Sequence, residues 1–218
     1  MRIPAELSDR LMEANGRPYT LSIDPGHKVY GEKLMMRGGK EWREWSVSRS
    51  KPAAYLAAGG SSFPLRRDNS LLYLGAASGT TASHFSDILD QGAVHCLEFS
   101  PRSFRDLVRV CGRRGNMIPI MGDATRPESF AFAVGDVDIV YQDVAQKGQA
   151  TILADNMDAF NADLGMLAVK ARSEDVTALP RDVFIAARDL LKSRGFKVME
   201  CRPLDPHEKD HAIMVVGR

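Results

Sequence analysis

The sequence predicts an α/β fold, in which a mostly parallel β-sheet carries helices on both faces and follows a small β-rich N-terminal domain. Two observations support this prediction. From residue 50 onward, short apolar runs alternate with amphipathic stretches, and one apolar run leads directly into a glycine-rich turn. Parallel strands need crossover connections, which are usually helices, so this alternation indicates a parallel sheet. We therefore predict two domains, at residues 1–50 and 51–218.

The N-terminal segment has turn residues at short intervals and no helical periodicity. Its apolar runs are short, at residues 19–23 and 33–36, and glycines such as Gly16, Gly26 and Gly38 separate them. Short strands bounded by glycine-containing turns are typical of β-hairpins. The segment is therefore predicted to fold as a set of hairpins.

The second segment alternates between strand and helix patterns. Strands are predicted at residues 71–75, 93–98, 117–121, 137–142, 164–170, 196–201 and 211–216. Helices are predicted at residues 50–59, 80–90, 101–113, 149–161 and 181–194. This order of elements is that of an open α/β sheet, in which ligands bind beyond the carboxyl ends of the strands.

The helix predicted at 101–113 has the clearest amphipathic pattern, with one apolar face and one basic face. The apolar face consists of Phe104, Leu107, Val108 and Cys111, and the basic stripe of Arg102, Arg105, Arg109 and Arg113. Pro101 at its start and Gly115 beyond its end are residue types expected at those positions. The pattern therefore indicates a surface helix.

Composition and cysteine spacing narrow the class of protein. Apolar residues make up 44% of the chain and charged residues 26%, and no apolar run is long enough to cross a membrane. The N-terminus has no signal-peptide core. Cys96, Cys111 and Cys201 are isolated within apolar patterns, which indicates reduced core thiols and no metal or disulfide. We therefore expect a cytoplasmic protein without a membrane partner or a metal site.

Residues 73–81 form a strand, a glycine-rich turn and a helix start, as in nucleotide-cofactor sites. Gly75 allows a tight turn, and Gly79 is expected to let the helix approach a ligand closely. Glu98 ends the next apolar run, at the spacing where an acid binds a ribose diol. The turn, G-x-x-x-G-T-T, lacks the middle glycine that admits a pyrophosphate. This disfavours NAD and favours a cofactor without phosphates, such as S-adenosyl-L-methionine (AdoMet).

Four polar residues are expected on the same rim as this turn. Asp143 and Lys170 each follow an apolar run at the carboxyl end of a predicted strand. Lys51 begins the first helix of the second domain, and His211 begins the last strand. Singly, each would usually be a solvated or structural residue. Their convergence beside a cofactor turn makes them candidate functional residues.

Several long segments resemble fibrillarin, in the short archaeal form without a Gly/Arg-rich tail. They are YLGAASGTTASHFSDI (73–88), LEFSPRSFRDL (97–107), DIVYQDVAQKGQ (138–149), KARS (170–173) and PHEKDH (206–211), with VYGEK (29–33) and RSK (49–51) in the first segment. The resemblance implies a Rossmann-like AdoMet-dependent methyltransferase sheet. It also implies ribose 2′-O-methylation of rRNA and tRNA by the catalytic subunit of a box C/D ribonucleoprotein.

The resemblance assigns the cofactor contacts residue by residue. Thr80 and Thr81 would face the methionine part, Glu98 would take the ribose hydroxyls, and Asp123 would accept from the adenine amino group. The full implied set is Gly75, Ala76, Thr80, Thr81, Glu98, Phe99, Asp123, Ala124, Asp143, Val144, Ala145 and Gln146. Phe99 would stack near the adenine, and Asp143 to Gln146 would line the methionine and methyl end.

The same resemblance implies a catalytic set of Lys51, Asp143, Lys170 and His211. The ribose hydroxyl is a poor nucleophile and must be positioned and deprotonated. We hypothesise that Lys170 acts as the base and that Lys51 favours its neutral form by like-charge repulsion. Asp143 would direct the ammonium, and His211 would orient the group or the RNA. The sequence leaves open which of them finally accepts the proton.

The partners implied are a box C/D guide RNA, a Nop-type scaffold protein and a kink-turn-binding ribosomal-type protein. Residues 32–67 contain eight basic residues against three acids, which together with the helix at 101–113 suggests a track for RNA. The net charge is only +1, so unaided RNA binding should be weak. Two alternatives are a structural ribonucleoprotein subunit that binds AdoMet poorly and a Rossmann dehydrogenase; the absence of a Tyr-x-x-x-Lys pattern or a catalytic Cys disfavours the latter.

Overall fold

The N-terminal segment forms a four-stranded antiparallel sheet in the computed structural model, which describes Met1 and residues 3–218. Its strands are β1 (Leu11–Ala14), β2 (Arg17–Leu21), β3 (Leu34–Arg37) and β4 (Lys40–Glu44), in the spatial order β1-β2-β4-β3. β1 pairs with β2, and β3 with β4, as hairpins. The prediction of a β-rich N-terminal segment is therefore confirmed.

A second, seven-stranded sheet contains all the strands predicted after residue 50. They are β5 (Ser70–Leu74), β6 (Ala93–Glu98), β7 (Met117–Met121), β8 (Ile139–Gln142), β9 (Leu164–Lys170), β10 (Lys197–Pro203) and β11 (His211–Gly217). Their order is β10-β11-β9-β8-β5-β6-β7; β11 runs antiparallel to both of its neighbours, and the pairs among β9, β8, β5, β6 and β7 are parallel. The strand order reverses between β5 and β8, which creates a crevice at their carboxyl ends.

Helices cover both faces of this sheet, as predicted. They are α1 (Lys51–Ala57), α2 (Thr80–Ile88), α3 (Pro101–Cys111), α4 (Gln149–Ala159), α5 (Ala171–Glu174) and α6 (Pro180–Ser193). One apolar core joins α1, α2 and α3 to the sheet, and another joins α4 and α6 to the opposite face. The sequence did not predict α5, because a single four-residue turn shows no periodicity. Among the described residues, no helix is both long and apolar enough to span a membrane.

Two side chains assigned to the core are instead at the surface. Val108 of α3 is 43% exposed, since it lies between the apolar face and the arginine stripe. Cys201 of β10 is exposed as well, because β10 is the edge strand and its alternate residues point to solvent. Cys96 and Cys111 are buried free thiols, as expected.

A buried network of charges joins the N-terminal sheet to α2. The carboxylate of Asp87, which is fully buried, accepts hydrogen bonds from Arg43 at 2.7 Å and from the Thr20 hydroxyl at 2.7 Å through Oδ2. Its Oδ1 accepts from Arg114 at 2.7 Å and from the backbone N–H of Ile23 at 3.2 Å. Such a carboxylate is satisfied only when both parts of the chain are in place.

Glu32, the acid of the VYGEK segment, belongs to the same network. It is buried and receives two hydrogen bonds from Arg43, at 2.8 and 2.6 Å, together with the backbone N–H groups of Val29 and Tyr30. This motif residue therefore positions the loop and the arginine. Arg43, one of the eight basic residues of the predicted RNA track, is fully buried and unavailable to RNA.

His84 of α2 is buried within this network and stays neutral. Its ring stacks on Trp45 at 5.2 Å between ring centroids, and its Nδ1 lies 2.7 Å from the Thr20 hydroxyl. Because that hydroxyl donates to Asp87, it accepts from Nδ1–H of the ring. Burial lowers the pKa of His84 well below its ordinary value of 6.5, and the nearby Arg43 and Arg114 lower it further.

We expect the free energy of unfolding to decrease as the pH falls below about 6.5. Below this pH the unfolded chain binds a proton at His84 that the native protein excludes. The stability that neutral, buried His84 contributes is therefore present above pH 6.5 and is lost as the pH falls below it. The loss approaches about 1.4 kcal/mol per pH unit for each such proton. Burial also lowers the pKa of His95, which adds to the effect.

The measurement is urea unfolding between pH 5 and 8 for the wild type, His84→Gln and His27→Gln. His84→Gln is expected to be less stable at pH 8 and to depend less steeply on pH. His27 has an exposed side chain, so its variant should keep the wild-type slope. Equal slopes for all three proteins would contradict a role for His84.

Candidate functional site

A cleft of about 340 Å³ lies at the carboxyl ends of β5, β6, β7 and β8, where the strand order reverses. Nine of the twelve residues predicted to contact the cofactor line it. They are Gly75, Glu98, Phe99, Asp123, Ala124, Asp143, Val144, Ala145 and Gln146. Lys170 of the predicted catalytic set lines the same cleft. This volume is within the range of small-molecule sites.

The turn after β5 shapes the floor of the cleft. Gly75 has φ +85°, and a Cβ atom there would lie 3.1 Å from the carbonyl oxygen of Asp143. Only glycine combines this backbone conformation with so close an approach between the turn and the β8 end. The glycine therefore keeps open the space between the two strand ends.

Glu98 is held in place at the end of β6 by the same turn. Its Oε2 accepts a hydrogen bond from the backbone N–H of Ala77 at 2.8 Å, and its Oε1 accepts from Ser100 at 2.8 Å. Each carboxylate oxygen retains a second acceptor site. The side chain is therefore oriented by the protein and can still accept hydrogen bonds from the hydroxyl groups of a ligand.

Ala76, Thr80 and Thr81 are not among the residues that line the cleft, so their assignment stays a prediction. Ala76 is buried, and its N–H donates to the carbonyl of Leu97 at 2.9 Å. Thr80 begins α2 and is half-buried. The Thr81 hydroxyl donates to the Ser50 hydroxyl at 3.0 Å, because the second residue of α2 points toward the start of α1.

Gly79 also brings two helices close together. It precedes α2 with φ +90°, and a Cβ there would lie 3.2 Å from Leu107 and 3.3 Å from Val110. Both are residues of α3. The glycine therefore permits close packing of α2 against α3, and its approach to a ligand stays a prediction.

Lys51, Asp143 and Lys170 meet at the edge of the cleft, although 119 positions separate the two lysines in the sequence. Asp143 follows β8, and its Oδ1 lies 2.8 Å from Nζ of Lys170 and 3.1 Å from Nζ of Lys51. Lys170 Nζ also donates to the main-chain oxygen of Asp143 at 2.9 Å. One carboxylate thus holds two ammonium groups close together.

The helix that carries Lys51, α1, begins at the residue where the sequence predicts its start. Lys51 is the first residue of α1, and Pro52 follows it within the first turn, where a missing N–H costs nothing. Ser50 precedes the helix, and its hydroxyl accepts from Trp45 Nε1 at 2.7 Å as well as from Thr81. The start of α1 is therefore tied to both α2 and the end of the N-terminal sheet.

His211 lies beside this group without touching Asp143. It is the direct partner of Lys170 in the antiparallel pairing of β11 with β9, so the two side chains are on the same face of the sheet. Its Nδ1 donates to the main-chain oxygen of Lys209 at 2.7 Å, which leaves Nε2 for another partner. The structure therefore brings all four predicted catalytic residues to one rim.

Beneath Asp143 lie two buried phenols, Tyr73 and Tyr141, with ring centroids 4.7 Å apart. Burial raises the pKa of each phenol well above 10, and the charge of Asp143 raises it further. Both phenols are therefore neutral. Asp143 Oδ1 is shielded from solvent and accepts no well-aligned hydrogen bond from a described residue, despite its two lysine neighbours.

Three further residues of the cleft wall escaped the sequence analysis: Ala77, Leu97 and Gly122. Ala77 adopts φ +50°, which is unusual for alanine, and this conformation directs its N–H to Glu98. A Cβ at Gly122 would lie 2.9 Å from Leu97. A glycine directly before Asp123, a predicted cofactor contact, was a usable signal for a close approach; Ala77 and Leu97 gave none.

The residues of the cleft fit AdoMet. An anchored acid with free acceptor sites matches a ribose diol, and Phe99, 71% exposed, offers an open aromatic face. Asp143 lines the same cleft, and its Oδ1 is shielded from solvent. Among the described residues, no group of three or more His, Cys, Asp or Glu side chains is placed to hold a metal ion.

The fold and the cleft are those of a Rossmann-like, AdoMet-dependent methyltransferase. The sequence model of the family described as Fibrillarin matches residues 9–218, so the chain belongs to the fibrillarin family. This confirms the resemblance seen in the sequence motifs. A fibrillarin-like rRNA/tRNA 2′-O-methyltransferase from Methanopyrus kandleri is 48% identical over 202 residues, which are 91% of this chain and 87% of that protein.

Two solved structures extend the comparison. Fibrillarin from Aeropyrum pernix, in complex with natively bound S-adenosyl-L-methionine, is 41% identical with a TM-score of 0.84, covering 94% of this chain and 92% of that one. The fibrillarin of a fibrillarin/Nop5p complex is 38% identical with a TM-score of 0.85, covering 96% and 97%.

Proposed function

We propose that the protein is an AdoMet-dependent RNA 2′-O-methyltransferase, the catalytic subunit of a box C/D ribonucleoprotein acting on rRNA and tRNA. The observation that carries the proposal is the arrangement within one cleft. Glu98, Asp143 and Lys170 line the same cleft, and Lys51 pairs with Asp143. The Aeropyrum pernix fibrillarin with bound AdoMet and the methyltransferase from Methanopyrus kandleri support it.

The bound cofactor would supply an electrophilic methyl group on a positively charged sulfur. Glu98 would hold the ribose hydroxyls, Phe99 and Asp123 the adenine, and the segment from Asp143 to Gln146 the methionine end. Ala76 lies within the turn that shapes the cleft, and Thr80 and Thr81, which the resemblance also assigns, begin the helix directly after that turn.

The chain's own groups would prepare the ribose hydroxyl. Asp143 fixes Nζ of Lys170 at the edge of the cleft, and Lys51 on the other side holds the carboxylate in position. Lys170 in its neutral form would take the proton as the hydroxyl oxygen attacks. His211, through its free Nε2, would orient the hydroxyl or a neighbouring RNA group.

The RNA and partner assignments rest on the family. A Nop-type scaffold is supported by the fibrillarin/Nop5p complex, and the guide RNA and kink-turn protein by the sequence motifs. The predicted RNA track is narrower than the sequence suggested, because Arg43 is buried and Arg67 pairs with Asp9 and Asp90. Five basic side chains of this track are exposed: Lys33, Arg37, Lys40, Arg49 and Arg66. A cytoplasmic location stays a prediction.

The proposal predicts that methylation depends on assembly. The isolated chain should give very little methylation of a target RNA, because its net charge of +1 gives weak RNA affinity. Reconstitution with a Nop-type scaffold, a kink-turn protein and a guide RNA should give methylation at one guide-specified nucleotide. A guide with a shifted complementary sequence is the control, and the methylated position should shift with it. An assembled particle that binds target RNA and AdoMet without methylation would instead indicate a structural subunit.

The cofactor assignment predicts a loss of affinity in Glu98→Ala. A buried diol then loses a charged acceptor, which costs about 1.5–3 kcal/mol, or roughly a 10- to 100-fold weaker AdoMet affinity. Calorimetry measures the affinity. The variant also frees the N–H groups of Ala77 and Ser100, so thermal unfolding must show that it is folded. Unchanged affinity in folded Glu98→Ala would contradict the assignment.

A further inference from the structure

Lys170 is the last residue of β9 and lies beyond the point where β8 pairs with that strand. β8 ends at Gln142, opposite Leu167, so Lys170 lies beyond the last β8–β9 pair. On its other side β11 continues, with His211 as the partner of Lys170. A backbone N–H and C=O left unpaired at this point would be free to move or to bind water.

The side chain of Gln149 occupies the position of the missing strand. Its Oε1 accepts from the backbone N–H of Lys170 at 2.8 Å, and its Nε2 donates to the backbone oxygen of Lys170 at 3.1 Å. The amide thus pairs with both polar groups of one residue, as a strand backbone does. Gln149 is fully buried, so water cannot replace either hydrogen bond.

Gln149 is itself fixed by two further contacts. Its backbone N–H donates to Oε1 of Glu174 at 2.6 Å, and its carbonyl accepts from Nε2 of Gln142 at 2.7 Å. Glu174 belongs to α5, which begins directly after Lys170. The start of α4 therefore holds the end of β9, and the helix after β9 holds the start of α4. This reciprocal arrangement leaves the backbone of Lys170 little freedom.

From this arrangement we infer that Gln149 is a positioning residue for Lys170, and that its amide sets the place of the lysine Nζ at the cleft. The inference rests on the proposed methyl-transfer function. Misplacement of a reacting group by about 1 Å can lower a rate on the order of 100-fold. Since Gln149 does not line the cleft, its loss should change the rate and leave cofactor affinity intact.

The test uses Gln149→Leu in the reconstituted particle. At saturating RNA and AdoMet, the rate is expected to fall on the order of 100-fold, with the KM for both substrates and the AdoMet affinity unchanged. Gln149→Asn keeps the amide but is one methylene too short for both bonds, so it should be impaired as well. This variant keeps the inference testable if Gln149→Leu does not fold.

Asn116→Leu is the matched control. Its amide also bonds the main chain, donating to the carbonyls of Ser86 and Leu89 at 3.0 and 2.9 Å, far from Lys170. It should lower stability and keep the wild-type rate. Wild-type rates in folded Gln149→Leu or Gln149→Asn would overturn the inference.

A crystal structure of the Gln149 variant separates this inference from the proposed function. If the wild-type particle proves inactive, the proposed function fails, and the structure alone decides the positioning role. The inference predicts that Nζ of Lys170 leaves its place 2.8 Å from Asp143 Oδ1. A variant in which Lys170 keeps both contacts with Asp143 would overturn it.

Discussion

Lys170→Ala in the assembled particle should transfer methyl groups about 100- to 10,000-fold more slowly than the wild type in a single turnover, the range expected for loss of a general base. Lys170 lines the cleft, and its Nζ contacts both Oδ1 and the main-chain oxygen of Asp143. Asp143→Ala should transfer methyl groups as slowly as Lys170→Ala. It should also weaken AdoMet binding more, because Asp143 lines the cleft and holds both lysines.

Single-turnover methylation, with particle assembly checked on the same sample, measures the effect. Lys197→Ala is the matched control, because Lys197 is an exposed lysine at the start of β10. It should methylate at the wild-type rate. A near wild-type rate in Lys170→Ala would show that this lysine is only a charge on the rim, and the proposed mechanism would be wrong.

Lys170→Arg distinguishes a base from a fixed positive charge. Arginine keeps the charge and can pair with Asp143, but it does not release its proton under these conditions. If Lys170 takes the proton, the arginine variant should be as slow as the alanine variant. Recovery of the wild-type rate by Lys170→Arg would assign Lys170 an electrostatic role and leave Asp143 as the group that accepts the proton.

The sequence predicted most of the large-scale fold because its signals are local. The apolar runs that form β5 to β11 are each recognisable without their neighbours. The residues that follow them reach one edge because parallel strands end together. Asp143, Lys170 and Glu98 could therefore be placed at the cleft from their positions relative to strand ends, and the structure brings them there.

The features that escaped prediction depend on partners distant in the sequence. The Thr81 hydroxyl donates a hydrogen bond to Ser50, and the Gln149 side chain accepts one from the backbone N–H of Lys170. No local sequence pattern predicts either contact. Arg43 was counted in the RNA track from the basic composition of residues 32–67, but it is buried with Glu32 and Asp87, which lie in separate parts of the chain. Each error has the same origin: the side chain's environment is set by tertiary packing.

The same buried arginine network gives the largest expected effect on stability. Asp87→Ala should lower the free energy of unfolding by about 3–5 kcal/mol, because it leaves the guanidinium groups of Arg43 and Arg114 without their shared carboxylate. Both arginines are almost fully buried, so water cannot replace that carboxylate. Arg43 retains Glu32, which limits its loss, whereas Arg114 has no other acid partner among its hydrogen bonds with described residues.

Asp106→Ala is the matched control for this prediction. Asp106 pairs with Arg109 at 3.0 Å on the exposed face of α3, where an ion pair contributes at most about 1 kcal/mol. In urea unfolding at pH 7, the free energy of unfolding of Asp87→Ala should therefore be clearly lower than that of Asp106→Ala. Because Asp87 joins α2 to the N-terminal sheet, the protection of amide hydrogens in β2 and β4 should also fall in Asp87→Ala. Equal stabilities of the two variants would show that the buried network does not hold the N-terminal sheet to the rest of the protein.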